Sequence, residues 1–337
     1  MTVLTAALLP ESSASPWAAL PACGVTSGAI AGPSVMEHRT QPAQADHGFG
    51  HHRPVGLPAL LLALSAALPA NGLGRVAGRL LGPVVRTMVP LLYGSIIDVT
   101  VDGTRRRLHV RDHADDRRVL ALPRHTAAQA RARMAAALPL DGVFVDVGAG
   151  TGLHTLAAAR HLGPRGRVLA VEPNAATRDR LAVNLSLNTL AASVTLVEDA
   201  VGPACDGLVL AAGKRKPVAA SSGWDAPPPA LVRARPLLDL VRAAGLGRLD
   251  VLRLGMKAGA DLAVISFLQA APPALRPRLI LADRCGARGW GTDLAATLAL
   301  HGYRACGDTP DTLLFQGDAE SDSGALWEPD DWSLVAS

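Results

Sequence analysis

Residues 143–160, VFVDVGAGTGLHTLAAAR, constrain the fold more than any other stretch of the chain. An apolar, mostly β-branched run (Val143, Phe144, Val145, Val147) leads into a cluster of glycines, and Leu and Ala then recur at helical spacing. A strand, a tight turn and a helix in that order open a nucleotide-binding α/β fold. Gly148, Gly150 and Gly152 let the backbone turn sharply and let a ligand approach the main chain. The helix that starts near Leu153 aims its free amide N–H groups at that ligand.

Downstream, strand and helix patterns alternate. Strands are expected at 168–171, 194–197, 249–254, 278–282 and 311–316, with a weaker piece at 208–210; helices are expected at 175–188, 236–244, 261–271 and 292–301. This pattern predicts an α/β domain over 139–316, built on a mostly parallel sheet with helices on both faces. Upstream, residues 1–55 are rich in Ala, Ser, Pro and Gly, lack a period and read as disordered, with Met36 an alternative start. Residues 56–138 form an extension of helices and a hairpin. Its first segment, 57–70, is apolar but shorter than the roughly 20 residues that span a bilayer. It reads as a helix packed on the core, with a weak membrane-surface contact as the alternative. A second amphipathic helix is expected at 72–89, and a hairpin at 91–110 turning at Asp102-Gly103. A polar loop follows at 111–118 and a helix at 126–138. Residues 214–229 read as a loop and 317–337 as an acidic tail.

Hydrophobic residues make up 49% of the chain, enough for a substantial core, but aromatics only 3%. So few aromatics leave no stacking surface for nucleic-acid bases. The net charge of +4 is spread out, and the run Arg105, Arg106, Arg107 reads as a solvated face. No nucleic-acid partner is expected on these grounds. The four cysteines have no CxxC spacing and no histidine cluster beside them. Neither a metal site nor a disulfide framework is expected, and a reducing cytoplasm fits.

Ligands of open α/β sheets sit beyond the carboxyl ends of the strands. Asp146, Glu172 and Asp199 close the first three strands, with Pro173, Asn174 and Ala200 beside them. A carboxylate after the second strand accepts from both ribose hydroxyls, and Asp199 accepts from an adenine amino group; together they describe an adenosine-bearing ligand. Two cofactors compete for the site. The NAD fingerprint wants GxGxxG, whereas this chain has GxGxG followed by Leu153. S-adenosylmethionine carries no pyrophosphate and does not need the missing glycine, so the spacing favours it. Asp146, Gly148, Ala149, Gly150 and Gly152 then shape its methionine and ribose side.

The blocks VFVDVGAGTGLHTLAAAR, GRVLAVEPNAATRDRLAVNLSLN and VTLVEDAVG, followed in order by LLDLVRAAGLGRLDVLRL, RPRLILAD and HGY, carry a resemblance. Over residues 143–315 the chain resembles the class I S-adenosylmethionine-dependent methyltransferases, and within them the FkbM family. The resemblance implies a Rossmann-like seven-stranded sheet whose last strand runs antiparallel. It also implies methyl transfer, commonly to a hydroxyl oxygen of a small-molecule acceptor such as a sugar or polyketide. One stretch departs from the family. Where the family has Lys-Ile-Asp-Val-Glu-Gly, this chain has Arg253-Leu254-Gly255-Met256-Lys257-Ala258-Gly259. Gly255 holds the first carboxylate position, and Lys257 or Ala258 the second. The remaining candidates for an acceptor base are Asp283, Asp261 and His154. Two other readings stay open: a cofactor-binding protein that has lost catalysis, and a nucleic-acid methyltransferase.

Overall fold

A computed structural model describes residues 35–38, 48–69, 72–124, 126–202, 207–210, 230–255, 259–284, 293–309 and 311–317. The N-terminal elements are β1 (Val35–His38), α1 (Leu57–Ala67), α2 (Gly72–Leu92), β2 (Ile96–Val101), β3 (Thr104–His109), α3 (Ala114–Ala121) and α4 (Ala128–Ala137). Next come β4 (Val143–Val147), α5 (Leu153–His161), β5 (Arg167–Val171), α6 (Ala175–Ser186), β6 (Ser193–Val197), β7 (Ala200–Val201), β8 (Gly207–Leu210) and β9 (Ala230–Arg235). The chain continues through α7 (Leu237–Ala243), β10 (Val251–Leu254), α8 (Ala260–Ala270), β11 (Leu279–Asp283), α9 (Leu294–Leu300), β12 (Tyr303–Asp308) and β13 (Thr312–Gly317).

The main sheet has the order β1-β6-β5-β4-β10-β11-β13-β12. Strands β4, β5, β6, β10 and β11 are parallel, and β13 runs antiparallel between β11 and β12. Leaving out β1, these are the seven strands of the Rossmann-like methyltransferase fold, with the expected reversed last strand. The parallel strands are apolar without alternation because helices cover both faces; all five residues of β4 are buried. On one face Val145, Leu169, Leu252 and Ile280 pack against Leu240, Phe267 and Leu298 of α7, α8 and α9. On the other, Phe144, Val168 and Leu281 pack against Met134, Leu156 and Leu181 of α4, α5 and α6. The strand order reverses between β4 and β10, which opens a crevice at their carboxyl ends.

A third apolar cluster (Val85, Val89, Ile97, Leu108, Leu120) joins α2 and α3 to the β2–β3 hairpin. Asp102 and Gly103 take φ of 48° and 72°, the two left-handed residues that a type I′ turn demands. Asparagines on and just after α6 fasten the hairpin to the main domain. Asn184 accepts from the Arg107 amide (2.7 Å) and donates to the Thr151 carbonyl (3.0 Å). Asn188 accepts from the Arg105 amide and donates to the Arg105 carbonyl, both at 2.8 Å. Two side-chain amides, four residues apart, thus do for the edge of β3 what a neighbouring strand would do.

Several expectations change. The segment 111–118 is not a loop; it holds most of α3, whose first turn carries Asp115 and Asp116, favourable at a helix N-terminus, and whose Val119 and Leu120 are buried. Within 1–55, read as disordered, Val35–His38 pair with β6 and the amides of Gly50 and His52 donate to Asp98 at 2.8 and 3.2 Å. The weak strand at 208–210 exists as β8 but belongs to a small sheet with β7 and β9, apart from the main one. Strands β1, β7, β9 and β12 were not anticipated. The loop at 214–229, Lys257 and the tail beyond Gly317 lie outside the described residues.

Because Asn184 is fully buried and bridges two backbone groups, Asn184→Ala takes away the acceptor of the Arg107 amide and leaves the Thr151 carbonyl only the 3.4 Å contact from Arg106. Urea unfolding is expected to show a loss of about 1–3 kcal/mol; a loss no larger than a surface substitution gives would contradict the fastening role.

Candidate active site

The glycine turn at the end of β4 is built from three left-handed residues, Gly148, Gly150 and Gly152, at φ of 76°, 59° and 95°. The Gly148 and Ala149 amides both donate to the Val171 carbonyl, at 2.9 and 3.0 Å, which ties the turn to β5. A Cβ on Gly152 would stand 2.5 Å from Leu181, so that glycine also answers to helix packing. One on Gly150 would meet only the His113 ring, at 3.6 Å. Glu172, at the end of β5, accepts from the Gly150 amide (2.8 Å) and the Asn174 amide (3.0 Å). Burial pushes its carboxyl above the usual range, against the pull of those two hydrogen bonds.

The hairpin and α3 grip the turn at Thr151. Its hydroxyl donates to Asp116 at 2.6 Å, and the other Asp116 oxygen accepts from the His109 amide at 2.8 Å. Arg106 reaches the Thr151 carbonyl and hydroxyl, each at 3.4 Å. Burial lowers the Arg106 guanidinium to about 10, with Asp116 opposing the shift, and its Nε and Nη1 make no hydrogen bond among the described residues. The three consecutive arginines are therefore not a solvated face. Arg105 is exposed, but Arg106 is buried and Arg107 is buried in an ion pair with Asp98 at 2.9 Å.

Arg253 is the group that residue-by-residue reading missed. It stands on β10 in register with Asp146 on β4, and β10 lies between β4 and β11. Its guanidinium donates to Asp146 at 2.8 Å, to Asp283 at 2.6 Å and to the Gly148 carbonyl at 3.2 Å. Burial works against the charged guanidinium, but Asp283 and Asp146 outweigh it and hold its pKa above the ordinary arginine value. Burial likewise raises the Asp283 carboxyl, with Arg253 opposing. The second Asp146 oxygen accepts from Thr155 at 2.6 Å, so this carboxylate faces inward, fully buried. Gly255 is explained by the same group: a Cβ there would lie 2.7–2.8 Å from the Arg253 guanidinium. The absent carboxylate at 255 and the arginine at 253 are two sides of one arrangement. A charge inside an otherwise apolar strand, Val-Leu-Arg-Leu, is the signal that could have found it.

Above the turn lies a cavity of about 480 Å³, within the range of small-molecule and cofactor sites. Gly148, Ala149, Gly150, His154 and Asp283 line it, joined by Arg253 and by Asp115 and Arg118 of α3. Of the expected site residues, Asp146 and Glu172 stand behind this wall as its supports. Gly152, Pro173, Asn174, Asp199, Ala200 and Asp261 are not part of it. Asn174 caps α6 by accepting from the Thr177 amide, Asp199 pairs with Arg235 at 3.4 Å, and Asp261 is buried in the first turn of α8. His154 is buried, and its Nε2 makes no hydrogen bond among the described residues. Burial, then the cations Arg253, Arg131 and Arg106, hold its pKa well below 6.5. It is a neutral imidazole at the cavity wall. Among the described residues no cluster of three or more His, Cys, Asp or Glu side chains is placed to hold a metal ion.

No protein-family model matches the chain, and no curated protein matches it. Solved structures do. A putative rRNA methylase from Clostridium thermocellum is 13% identical over 56% of this chain and 93% of its own, with a TM-score of 0.35. TYW2 from M. jannaschii, in complex with AdoMet, is 13% identical over 66% of this chain and 85% of its own, at 0.34. A precorrin-6y C5,15-methyltransferase from Geobacter metallireducens is 20% identical over 56% and 85%, at 0.32. At these scores the likenesses carry no functional weight, and the strand order itself defines the fold.

Arg253→Met strands the buried Asp146 carboxylate and the partly buried Asp283 carboxylate, and chemical unfolding is expected to show a loss of about 3–5 kcal/mol. Less than 1 kcal/mol would contradict the bridge. His154 gives a pH signature. The unfolded imidazole regains its ordinary pKa of 6.5 and binds a proton that the folded one refuses. Stability therefore falls as pH drops through that value, by up to about 1.4 kcal/mol between pH 7.5 and 5.5. His154→Gln removes this part of the pH dependence; identical profiles for the two proteins would contradict the buried neutral state.

Proposed function

We propose that the chain is an S-adenosylmethionine-dependent methyltransferase, placed most finely among O-methyltransferases of FkbM type that act on a hydroxyl of a sugar or natural product. The observation that carries this reading is the left-handed glycine turn at the strand-order reversal, open toward the cavity and braced by a carboxylate at the end of the next strand. The residues present fit that cofactor: a bare peptide surface at Gly148, Ala149 and Gly150, and Glu172 within one hydrogen bond of it. Glu172 is assigned to the ribose and Asp199 to the adenine, with Pro173, Asn174 and Ala200 beside them. Asp146 acts through Arg253 and Thr155 by holding the turn.

Bound S-adenosylmethionine supplies an electrophilic methyl group on a sulfonium. The chain's task is to align an acceptor oxygen and take its proton. Asp283, whose carboxyl burial raises, accepts that proton. His154, a neutral imidazole at the wall, orients the acceptor hydroxyl. Asp261, away from the wall, receives no role in this scheme. The nucleic-acid alternative loses the surface that suggested it, since two of its three arginines are buried. The reading as a binder without turnover keeps one observation in its favour: Arg253 engages both the Asp146 and the Asp283 carboxylates.

Calorimetry tests the cofactor assignment. Wild type is expected to bind S-adenosylmethionine and S-adenosylhomocysteine but not NAD, and Glu172→Ala to bind about 10–100-fold more weakly, the range for a hydrogen bond to a charged group. Binding of neither sulfur compound would overturn the reading. Undiminished binding by a folded Glu172→Ala protein would overturn the ribose role. Tight binding without methylation across a panel of hydroxylated acceptors would favour the binder.

A further inference from the structure

Of the twelve large hydrophobic residues exposed on the described surface, ten lie between Val55 and Leu92. Single exposed apolar residues are ordinary, but a concentration of this kind marks a contact face. On α2, Leu73, Val76, Leu80, Val84 and Leu91 follow one another at +3, +4, +4 and +7, which returns to one side of a 3.6-residue helix. Their exposures run from 44% to 77%. The opposite side of the same helix is already used: Val85 and Val89 are buried against Ile97 and Leu108. Gly78 faces Leu122 so closely that a Cβ would stand 2.7 Å away, which holds that side in place. Leu57, Leu60 and Leu64 on the adjacent α1 extend the outer face.

The charge around this face has one sign. Residues 48–97 contain no Asp or Glu, while Arg53, Arg79 and Arg86 are exposed and pair with no carboxylate among the described residues. Arg79 and Arg86 are seven residues apart and so share one side of α2. An apolar stripe with arginines beside it is the pattern of a helix that lies in a membrane interface. A second copy of the chain is a poor occupant, since a two-fold contact through an acid-free face sets arginines near arginines. No described helix is long and apolar enough to cross a bilayer.

We propose that the α1–α2 face docks on an anionic lipid bilayer, with the Leu and Val stripe in the acyl boundary and the arginines on headgroup phosphates. α3, which supplies Asp115 and Arg118 to the cavity wall, packs directly on α2. Docking therefore brings the lipid surface to within one helix layer of the cavity.

Vesicle flotation of the full chain tests this. The protein is expected to float with vesicles of phosphatidylcholine containing about one third phosphatidylglycerol, and at least about tenfold less with phosphatidylcholine alone. The double variants Arg79→Glu/Arg86→Glu and Leu80→Glu/Val84→Glu are each expected to lose binding at least about tenfold, and so is wild type in 1 M salt. All four positions are exposed, so the unfolding midpoints are expected to stay unchanged. No flotation with either vesicle, or flotation that both variants retain, would overturn the proposal. A dimer that Leu80→Glu/Val84→Glu turns into a monomer, with no flotation, would overturn it in favour of a second copy.

Discussion

The site hangs on one buried cation. Arg253 joins the ends of β4, β10 and β11 through Asp146 and Asp283, and it holds the first carbonyl of the glycine turn. An isolated charge at that depth would be too costly to keep; two carboxylates within 2.8 Å are what make it tolerable. The parallel strand order is what brings them together, since β10 lies between the strands that carry the two acids. The guanidinium then fills the space above position 255, where only glycine leaves it room. The same bridge fixes the Asp283 carboxylate at the cavity wall.

The extension before the domain has a mechanical part in the same site. Asp116 of α3 and Arg106 of the hairpin converge on Thr151, and Asn184 of α6 closes the ring by bonding both Thr151 and the hairpin. A glycine turn is flexible in proportion to its glycines. Here its one residue with a polar side chain is gripped from three elements, so the peptide surface that faces the cavity is pre-shaped. The outer side of that extension, on α1 and α2, is apolar and cationic and takes no part in the grip.

The fold was legible wherever burial is continuous. The expected strand at 168–171 matches Arg167–Val171 and that at 194–197 matches Ser193–Val197, because strands covered on both faces read as unbroken apolar runs. Helix α3 was missed because its buried apolar residues, Val119, Leu120 and Ala121, fall together in the last turn and its first turn is acidic. Strand β12, Tyr-Arg-Ala-Cys-Gly-Asp, shows no alternation and lies at the edge of the sheet, beside β13. The glycine turn and Glu172 were legible as a motif because they are close in sequence. The Arg253 bridge was not. Arg253 finds Asp146 across 107 positions and Asp283 across 30, and no local pattern encodes such a contact. Asp146 was expected at the ligand; strand register instead sets it beside Arg253 and turns it inward.

Hydrogen exchange resolved to single peptides tests the central claim most directly, because it asks where the ligand touches the chain. Saturating S-adenosylhomocysteine is expected to slow exchange at amides 148–153 and 172–174, while the hairpin at 96–109 keeps its rates. Unchanged exchange across the glycine turn, or protection confined to another part of the chain, would contradict the placement of the cofactor on this turn.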